Sequence, residues 1–456
     1  MTGPSAVRVR ASPPLFLAVI GAVAVPAVGV ALSRPDVIAV ALPIALWAVH
    51  AGTVMARNRD TAPSPGAPAG EAPQNATRLV INRETDAAPG WARDSIRVES
   101  GAEIVEVAIV QAERRRRRVF VSGSARLRAR SRVRHSGPLR TVEACARGLH
   151  ADAALLDAPS PAVVVTHALA PIAHPLGRMP LAPRLTGLHG SHEGIRPGQG
   201  GDFRDIHPFA PGDELRRVDW KATARAARRP GELLIRRTNT LSDASTVIVM
   251  DTADDLGEMV STWGTADLQR CGVTSLDLAR AAARSIAEAT VAKGDPIAFH
   301  TLAQGGRSVR SGGGRRQLAR VVAEIAASGR AGDDSRFRRT PPVPHGSIIH
   351  VLSTFFDGAA AEIAVRWRAS GHRVVAVDVL PALRRDRLTG ARELALEVLL
   401  AEREDMLHGL QESGVEVVRW QDEGMTAWTA LADPRVRIAG GGTRGAFRPS
   451  RAGMTR

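Results

Sequence analysis

The densest group of chemically capable side chains lies in residues 200–225, which we call the charged segment. It reads GGDFRDIHPFAPGDELRRVDWKATAR. Acidic and basic residues are interspersed here around Trp220. Gly212 follows Pro211 and supplies the conformational freedom of a turn, and Asp213 can cap the element that follows. These side chains can form ion pairs and bury an aromatic ring. They lack a Ser/His/Asp grouping with the spacing of a hydrolytic site.

The spacing of the charges in this segment suggests one helical face. Asp213, Arg217, Lys221 and Arg225 follow one another at intervals of four, so they would share a face if the stretch were helical. Trp220 would then be the apolar anchor. Two interpretations stay open. The ion pairs and Trp220 pin the segment onto the domain that follows, or the same residues dock a partner.

A second basic feature is the arginine row, in which arginine recurs at every second position: Arg126, Arg128, Arg130, Arg132 and Arg134. Period two places all five on one face of a strand. Such a face can contact anionic lipid, nucleic acid or an acidic protein. It can equally be a solvated face that discourages edge pairing. The formal net charge of +15 suits each reading, but the 4% aromatic content argues against a protein that stacks nucleic-acid bases.

Two apolar runs begin the chain. Residues 15–32 contain no charge, and residues 37–54 contain only His50 as a titratable group. Each run is close to the length that spans a bilayer core, and the four residues between them predict an antiparallel transmembrane hairpin. The alternatives are a cleaved signal peptide and a buried helical pair of a soluble protein.

The flanks of this hairpin set its predicted orientation. Basic residues precede the first run and follow the second, namely Arg8, Arg10, Arg57 and Arg59. The positive-inside rule places such flanks in the cytoplasm. We therefore predict a two-pass protein of the cell membrane whose termini and soluble domains are all cytoplasmic.

The elements that must position the charged segment lie on either side of it. Short β-branched runs between residues 78 and 175 predict a β-sandwich, with a short helix near Thr141–Gly148. Beyond Thr246, apolar strands alternate with helices, the first of which has Thr274 as N-cap and Gly294 as its stop. This alternation predicts a mostly parallel sheet covered on both faces.

The charged segment resembles the bacterial family called domain of unknown function 58. The residues that carry the resemblance are Asp202-Phe203, Phe209, Pro211-Gly212-Asp213, Arg216, Asp219-Trp220-Lys221 and Ala224-Arg225. His207 stands where the family usually has arginine, and Phe209 where tyrosine is common. The resemblance implies a docking or structural role for this loop, and a C-terminal α/β domain that resembles the von Willebrand A domain.

The resemblance also implies a metal-ion site at the end of the first strand of that domain. Von Willebrand A domains build it as Asp-x-Ser-x-Ser, whereas this chain reads Asp251-Thr252-Ala253-Asp254-Asp255. Ala253 offers no side-chain ligand. Asp251, Asp255 and the later Asp357 would be the ligands of a degraded site, and their oxygens suit Mg²⁺ or Ca²⁺. No other cofactor is expected.

The predicted layout has six parts. Residues 1–56 form the hairpin, 57–77 a Pro/Ala/Gly linker, 78–180 the β-rich segment, 181–243 the region of the charged segment, 244–433 the α/β domain and 434–456 a basic, disordered tail. No phosphate loop, zinc-helix motif or nucleophile elbow occurs. We therefore expect a non-enzymatic adaptor. The resemblance implies a MoxR-type AAA+ ATPase and other envelope proteins as its partners, beside the lipid bilayer.

Overall fold

The computed structural model describes residues 10–60, 77–83, 90–111, 115–182, 192–265, 270–303, 305–331, 340–421, 428 and 431–432. The chain divides into two compact units. The first comprises Met1–Arg134 and Pro138–Leu169, and the second His135–Gly137 and Ala170–Arg456. Most of the predicted linker and the whole of the predicted tail lie outside the described residues.

The first unit begins with two apolar helices. After a short strand β1 (Arg10–Ala11), helix α1 spans Pro13–Ala31 and helix α2 spans Pro35–Asp60. Both are long and apolar enough to cross a membrane. Most of their large apolar side chains are exposed. These helices therefore do not form the alternative, a helical pair buried in the core of a soluble protein. The two apolar helices predicted from the sequence are confirmed.

The helices approach each other closely near their connecting turn. A Cβ atom on Gly29 would lie 2.7 Å from Cγ1 of Ile38, a distance that real Cβ contacts do not show. Glycine therefore suits the packing here, because a Cβ atom at this position would require Ile38 to shift. A third residue, Ser12, caps α1 by accepting a hydrogen bond from the backbone N–H of Leu15.

The remainder of the first unit consists of two antiparallel sheets. Its strands are β2 (Arg78–Arg83), β3 (Gly90–Glu99), β4 (Ile104–Gln111), β5 (Arg115–Ser122), β6 (Ala125–Val133), β7 (Gly137–His150), β8 (Leu155–Leu156) and β9 (Val163–Leu169). One sheet has the order β2-β3-β6, and the other β1-β8-β7-β4-β5 with β9 also paired to β7. Ile96 and Val98 of the first sheet share a core with Val105 and Val107 of the second.

The short helix expected near Thr141–Gly148 is wrong, because these residues belong to strand β7. Alanine-rich sequence favours a helix locally. In the folded chain, however, Val142, Ala144 and Ala146 are buried at every second position against the core of the sandwich. Pairing with β4 over its full length decides the outcome.

The second unit begins with a long antiparallel hairpin and continues as an α/β layer structure. The hairpin strands are β10 (His192–Pro208) and β11 (Leu234–Ser242), with helix α3 (Trp220–Ala226) between them. The later elements are β12 (Thr246–Asp251), α4 (Ser275–Ala292), β13 (Ile297–Leu302), β14 (Ser308–Gly312), α5 (Gly314–Ala327), β15 (Ile348–Ser353), α6 (Ala359–Ala369), β16 (Arg373–Asp378), α7 (Gly390–Glu412) and β17 (Glu416–Arg419).

These six strands form one sheet in the order β14-β13-β12-β15-β16-β17. All neighbours are parallel except β14, which is an antiparallel edge strand. Successive residues of β12 face opposite sides: Ile248 and Met250 join one core, and Val247 and Val249 the other. Burial on both faces explains the continuous apolar strands of the sequence. Sequence reasoning missed β14, which carries no apolar run.

Candidate functional site

The charged segment forms a folded insertion held against β11. The backbone N–H groups of Phe209 and Asp219 donate to the carbonyls of Leu233 and Leu234, both at 2.8 Å. Val218 pairs with Ile235 in an antiparallel bridge, and both are buried. The stretch is not one helix, so the shared helical face does not form. A short 3-10 turn ends at Arg217 and α3 begins only at Trp220, so Asp213 and Arg217 do not share a helix with Lys221 and Arg225.

Three residues of the charged segment stabilise its backbone conformation. Gly212 has φ +99°, a conformation that favours glycine. Asp213 closes the same turn, because its carboxylate accepts from the backbone N–H of Ala210 at 2.8 Å. Asp219 caps α3 by accepting from Ala222 N–H, also at 2.8 Å.

Apolar side chains of this region lie on its surface. Trp220 is 68% exposed, Leu215 66% and Phe203 52%. Ile206 and Phe209 are exposed as well. The expectation that Trp220 anchors the segment is wrong in this structure, since its indole is not packed into the protein. The ring is accessible on the protein surface.

An open cleft of about 500 Å³ lies beside this tryptophan. It is lined by Arg216, Arg217, Val218, Asp219, Trp220, Arg236 and Thr238; we call it the docking cleft. Glu214 is shared by two of the arginines: its Oε2 lies 2.6 Å from Nε of Arg216 and 3.5 Å from Nε of Arg217. The hydrogen bond from Arg216, with the charges of both arginines, lowers the pKa of Glu214.

Arg236 completes the cleft from strand β11. Its guanidinium lies 5.4 Å from the centre of the Phe203 ring, a cation–π geometry. Sequence reasoning missed Arg236 and Thr238, because they follow the charged segment and only the pairing of β11 brings them beside it. Lys221 and Arg225 are exposed on α3 and do not line the cleft.

Asp251 lies at the end of β12, where strand order reverses between β12 and β15. Such switch points are the usual sites of open α/β sheets. Here Ser353, at the end of β15, donates its hydroxyl to Oδ2 of Asp251 at 2.7 Å, and Ala253 N–H donates to Oδ1 at 3.1 Å. Burial raises the pKa of Asp251 to about 6, with smaller contributions from the charges of Asp357 and Asp254.

The other two expected ligands do not join Asp251. Asp255 accepts from the backbone N–H of Leu276 at the start of α4, and burial raises its pKa. Asp357 is exposed and accepts from the N–H of Ala359. Within the described parts of the chain, no group of three or more His, Cys, Asp or Glu side chains could hold a metal ion. Asp251, Asp255 and Asp357 therefore do not form the three-carboxylate ligand group that the resemblance implied.

The arginine row occupies the solvent face of β6. Arg126, Arg128, Arg130 and Arg132 lie in the strand, Arg134 follows it directly, and all five are exposed. Ala129, Ser131 and Val133 alternate with them and are buried. Arg130 stacks 4.0 Å over the ring of Trp91 on the neighbouring strand. Five consecutive arginines also occupy residues 114–118, and the first of them, Arg114, lies outside the described residues.

The fold and these surfaces define a mixed α/β protein with two apolar N-terminal helices. Residues 205–390 match the family model described as "Protein of unknown function DUF58". The resemblance read from the charged segment is thereby confirmed over these residues, which run from strand β10 to the start of α7. Comparison with curated proteins and with solved structures gave no match.

Proposed function

We propose that this chain is a membrane-anchored, non-catalytic adaptor that acts through its α/β domain, which we interpret as von Willebrand A-like. The order β14-β13-β12-β15-β16-β17 with a single antiparallel edge strand supports that interpretation. The proposed partner is a MoxR-type AAA+ ATPase, and the proposed process is the assembly of envelope proteins. Both rest on the family resemblance. The basic flanks of the apolar helices support a cytoplasmic position for the soluble units.

The observation that carries the proposal is the docking cleft with its exposed tryptophan. Tryptophan and arginine are enriched among the residues that dominate protein interfaces. Here both stand on a backbone fixed by Gly212, Asp213 and Asp219, so a partner would meet a preformed surface. A preformed surface loses little conformational entropy on binding.

The non-catalytic part of the proposal rests on the structural contacts of the side chains that could do chemistry. The one Cys/His/Asp grouping we identify among the described residues joins Cys271, His135 and Asp277. The sulfur lies 3.9 Å from Nε2 of His135, and Nδ1 lies 2.7 Å from Oδ2 of Asp277. Cys271 is buried, and Asp277 closes the capping box of α4. We interpret this grouping as structural.

A crosslinked pull-down from membranes tests the adaptor function. The bait is the full chain, either wild type or carrying Trp220→Ala, and captured proteins are identified by mass spectrometry. We expect an AAA+ ATPase with the wild type and its loss with Trp220→Ala. The matched control is Phe120→Ala, which removes another exposed aromatic ring. Equal capture by all three forms, each shown to be folded by thermal unfolding, rules out docking through Trp220.

A second candidate function is binding of anionic lipid or nucleic acid through the arginine row. The supporting observation is that all five side chains are exposed on one strand face. Each arginine near an anionic bilayer contributes about 1 kcal/mol. Changing Arg126, Arg128 and Arg132 to Gln should therefore weaken binding of the nanodisc-embedded chain to immobilised phosphatidylserine vesicles about 100-fold. The same change at the exposed Arg315, Arg316 and Arg320 of α5 is the charge-matched control. If both triple variants lose binding equally, net charge and not the row is responsible.

A labelled oligonucleotide, whose binding should fall steeply with salt, tests the nucleic-acid form of this candidate.

A further inference from the structure

The region around the docking cleft carries an excess of positive charge. Residues 203–238 contain nine lysine or arginine residues and five aspartate or glutamate residues, a net charge of +4. Three arginines converge on the cleft itself. How far the five carboxylates neutralise them depends on where those carboxylates are directed.

Most of these carboxylates are used by the backbone of the insertion. Asp213 and Asp219 accept from the N–H groups of Ala210 and Ala222. Glu232 accepts from the N–H groups of Arg228 and Arg229 at 2.6 and 3.2 Å. Asp213, Asp219 and Glu232 thus stabilise turns and the start of α3, and none of them forms an ion pair with an arginine of the cleft among the described residues.

The arginines that line the cleft are therefore under-compensated. Glu214 alone serves both Arg216 and Arg217. Arg236 lies over the Phe203 ring, and among the described residues no ion pair of Arg236 is found. A guanidinium offers a planar fork of N–H donors that matches a carboxylate in two parallel hydrogen bonds. The cleft thus presents more guanidinium groups than carboxylates, and Arg236 has no carboxylate partner among the described residues.

The surroundings of these donors are apolar. Trp220 lines the cleft, and Phe203, Leu215 and Ile206 are exposed in the same insertion. A free anion or a phosphate backbone would leave such side chains in water. A peptide that carries both carboxylates and apolar side chains would cover them.

We propose that the docking cleft binds an acidic segment of a partner protein. A Glu or Asp carboxylate of that segment pairs with Arg236, and an adjacent apolar side chain packs on Trp220. This inference rests on the proposed adaptor function and adds the chemistry of the partner's segment. It does not depend on which protein carries the segment.

The test uses the full chain in neutral detergent and fluorescence anisotropy. The probe is a fluorescein-labelled peptide rich in glutamate and phenylalanine, and its comparison peptide has every glutamate replaced by glutamine. We expect the acidic peptide to bind about tenfold or more tightly than its neutral counterpart, because charge-assisted hydrogen bonds are about twice as strong as neutral ones. Equal affinity of the two peptides overturns the proposal.

Variants locate the binding. Arg236→Gln should weaken the acidic peptide about tenfold, and Arg236→Lys should recover only part of the loss, since lysine keeps the charge without the planar fork. Arg310→Gln, on the exposed edge strand β14, removes the same charge elsewhere and should change affinity less than about twofold. Equal losses in Arg236→Gln and Arg310→Gln would assign the binding to net charge and overturn the proposal. Tighter binding of a labelled oligonucleotide, lost in Arg236→Gln, would assign the cleft to nucleic acid instead.

The two proposals fail separately. If the pull-down yields no AAA+ ATPase but the peptide responds to Arg236, the cleft chemistry stands and the partner must be another acidic protein. If an ATPase is captured through Trp220 while the peptide ignores Arg236, the docking function stands and the acidic-segment inference falls.

Discussion

Several acidic residues of the second unit accept hydrogen bonds from backbone N–H groups and so stabilise helix starts and turns. Asp277 caps α4, Asp255 accepts from the first turn of the same helix, and Asp357 accepts from Ala359 N–H. Asp251 differs because it lies at the switch point of the sheet, where Ser353 donates to it. Sequence reasoning selected Asp251, Asp255 and Asp357 from a family pattern, and their positions in the fold separate them. Their energetic roles are testable one residue at a time.

The raised pKa of Asp251 predicts a pH-dependent stability. Between its ordinary value of 3.8 and its folded value of about 6, the folded protein retains a proton that the unfolded chain has released. The contribution of Asp251 to folding therefore falls as pH rises through that window. Asp251→Asn mimics the protonated side chain, so it should gain stability relative to wild type from pH 4 to pH 7. The gain is at most about 3 kcal/mol, since one pKa unit corresponds to about 1.4 kcal/mol.

Denaturant unfolding of the full chain at several pH values measures this difference. Asp405→Asn, an exposed substitution on α7, is the control and should show little pH-dependent change. A constant difference between Asp251→Asn and wild type across the range would show that the carboxylate is not held protonated by burial.

Because Asp255 and Asp357 bond to backbone N–H groups elsewhere, we predict that stability does not depend on divalent cations. A cation that binds only the folded state raises the melting temperature as its concentration increases. We expect no such shift with Mg²⁺ or Ca²⁺, and no loss with a chelator, in thermal unfolding of the full chain. A concentration-dependent rise that disappears in Asp251→Ala would place a cation at this strand end.

At the scale of elements, two helices of the second unit begin after a threonine, but only one of these threonines makes a capping hydrogen bond. Thr274 and Asp277 form the capping box at the start of α4: Thr274 accepts from Asp277 N–H, and Asp277 accepts from Thr274 N–H. Helix α7 also has a threonine at its N-cap, Thr389, but its side chain makes no capping hydrogen bond. The same residue type thus has two different roles, which the sequence alone does not distinguish.

This contrast gives a matched pair of substitutions. Thr274→Ala removes an N-cap hydrogen bond and should cost about 1 kcal/mol of unfolding free energy. Thr389→Ala removes no such bond and should cost much less. Denaturant unfolding monitored by circular dichroism compares them. Equal losses of unfolding free energy in the two variants would mean that the capping hydrogen bond of Thr274 does not stabilise α4.

At the scale of the whole molecule, the chain joins two apolar helices to folded units of different architecture. The first unit contains those helices and an antiparallel sandwich, and the second contains the α/β sheet with the docking cleft. The proposed membrane anchor would restrict the docking cleft to the vicinity of the bilayer. Such a restriction suits the proposed adaptor function, whose proposed process is the assembly of envelope proteins.

The proposed topology predicts which sites are accessible from outside the cell. Arg34 lies exposed in the turn between α1 and α2. In a Cys145→Ser background, Arg34→Cys should react with a membrane-impermeant maleimide in intact cells. Arg320→Cys, exposed on α5, should react only after permeabilisation. The reverse pattern would invert the topology, and labelling of both sites in intact cells would contradict membrane insertion.

The sequence by itself determined the elements whose signals are local. Two apolar runs determined α1 and α2, continuous apolar strands determined the buried parallel sheet, and Thr274 with Gly294 determined the ends of α4. Period-two arginines placed the arginine row on one exposed face. Each of these features depends on residues that are close together in the sequence, so the sequence pattern alone predicts it.

Only the tertiary structure decided the features that join distant residues. Pairing with β4 made Thr141–Gly148 a strand despite its alanines. The bridge between Val218 and Ile235 placed Arg236 of β11 beside the Arg216–Trp220 stretch, where these residues line the docking cleft. The parallel neighbours β12 and β15 brought Ser353 to Asp251 across 102 positions of sequence. The physical reason is that strand pairing and desolvation depend on which surfaces meet in the folded chain, and no local pattern records that choice.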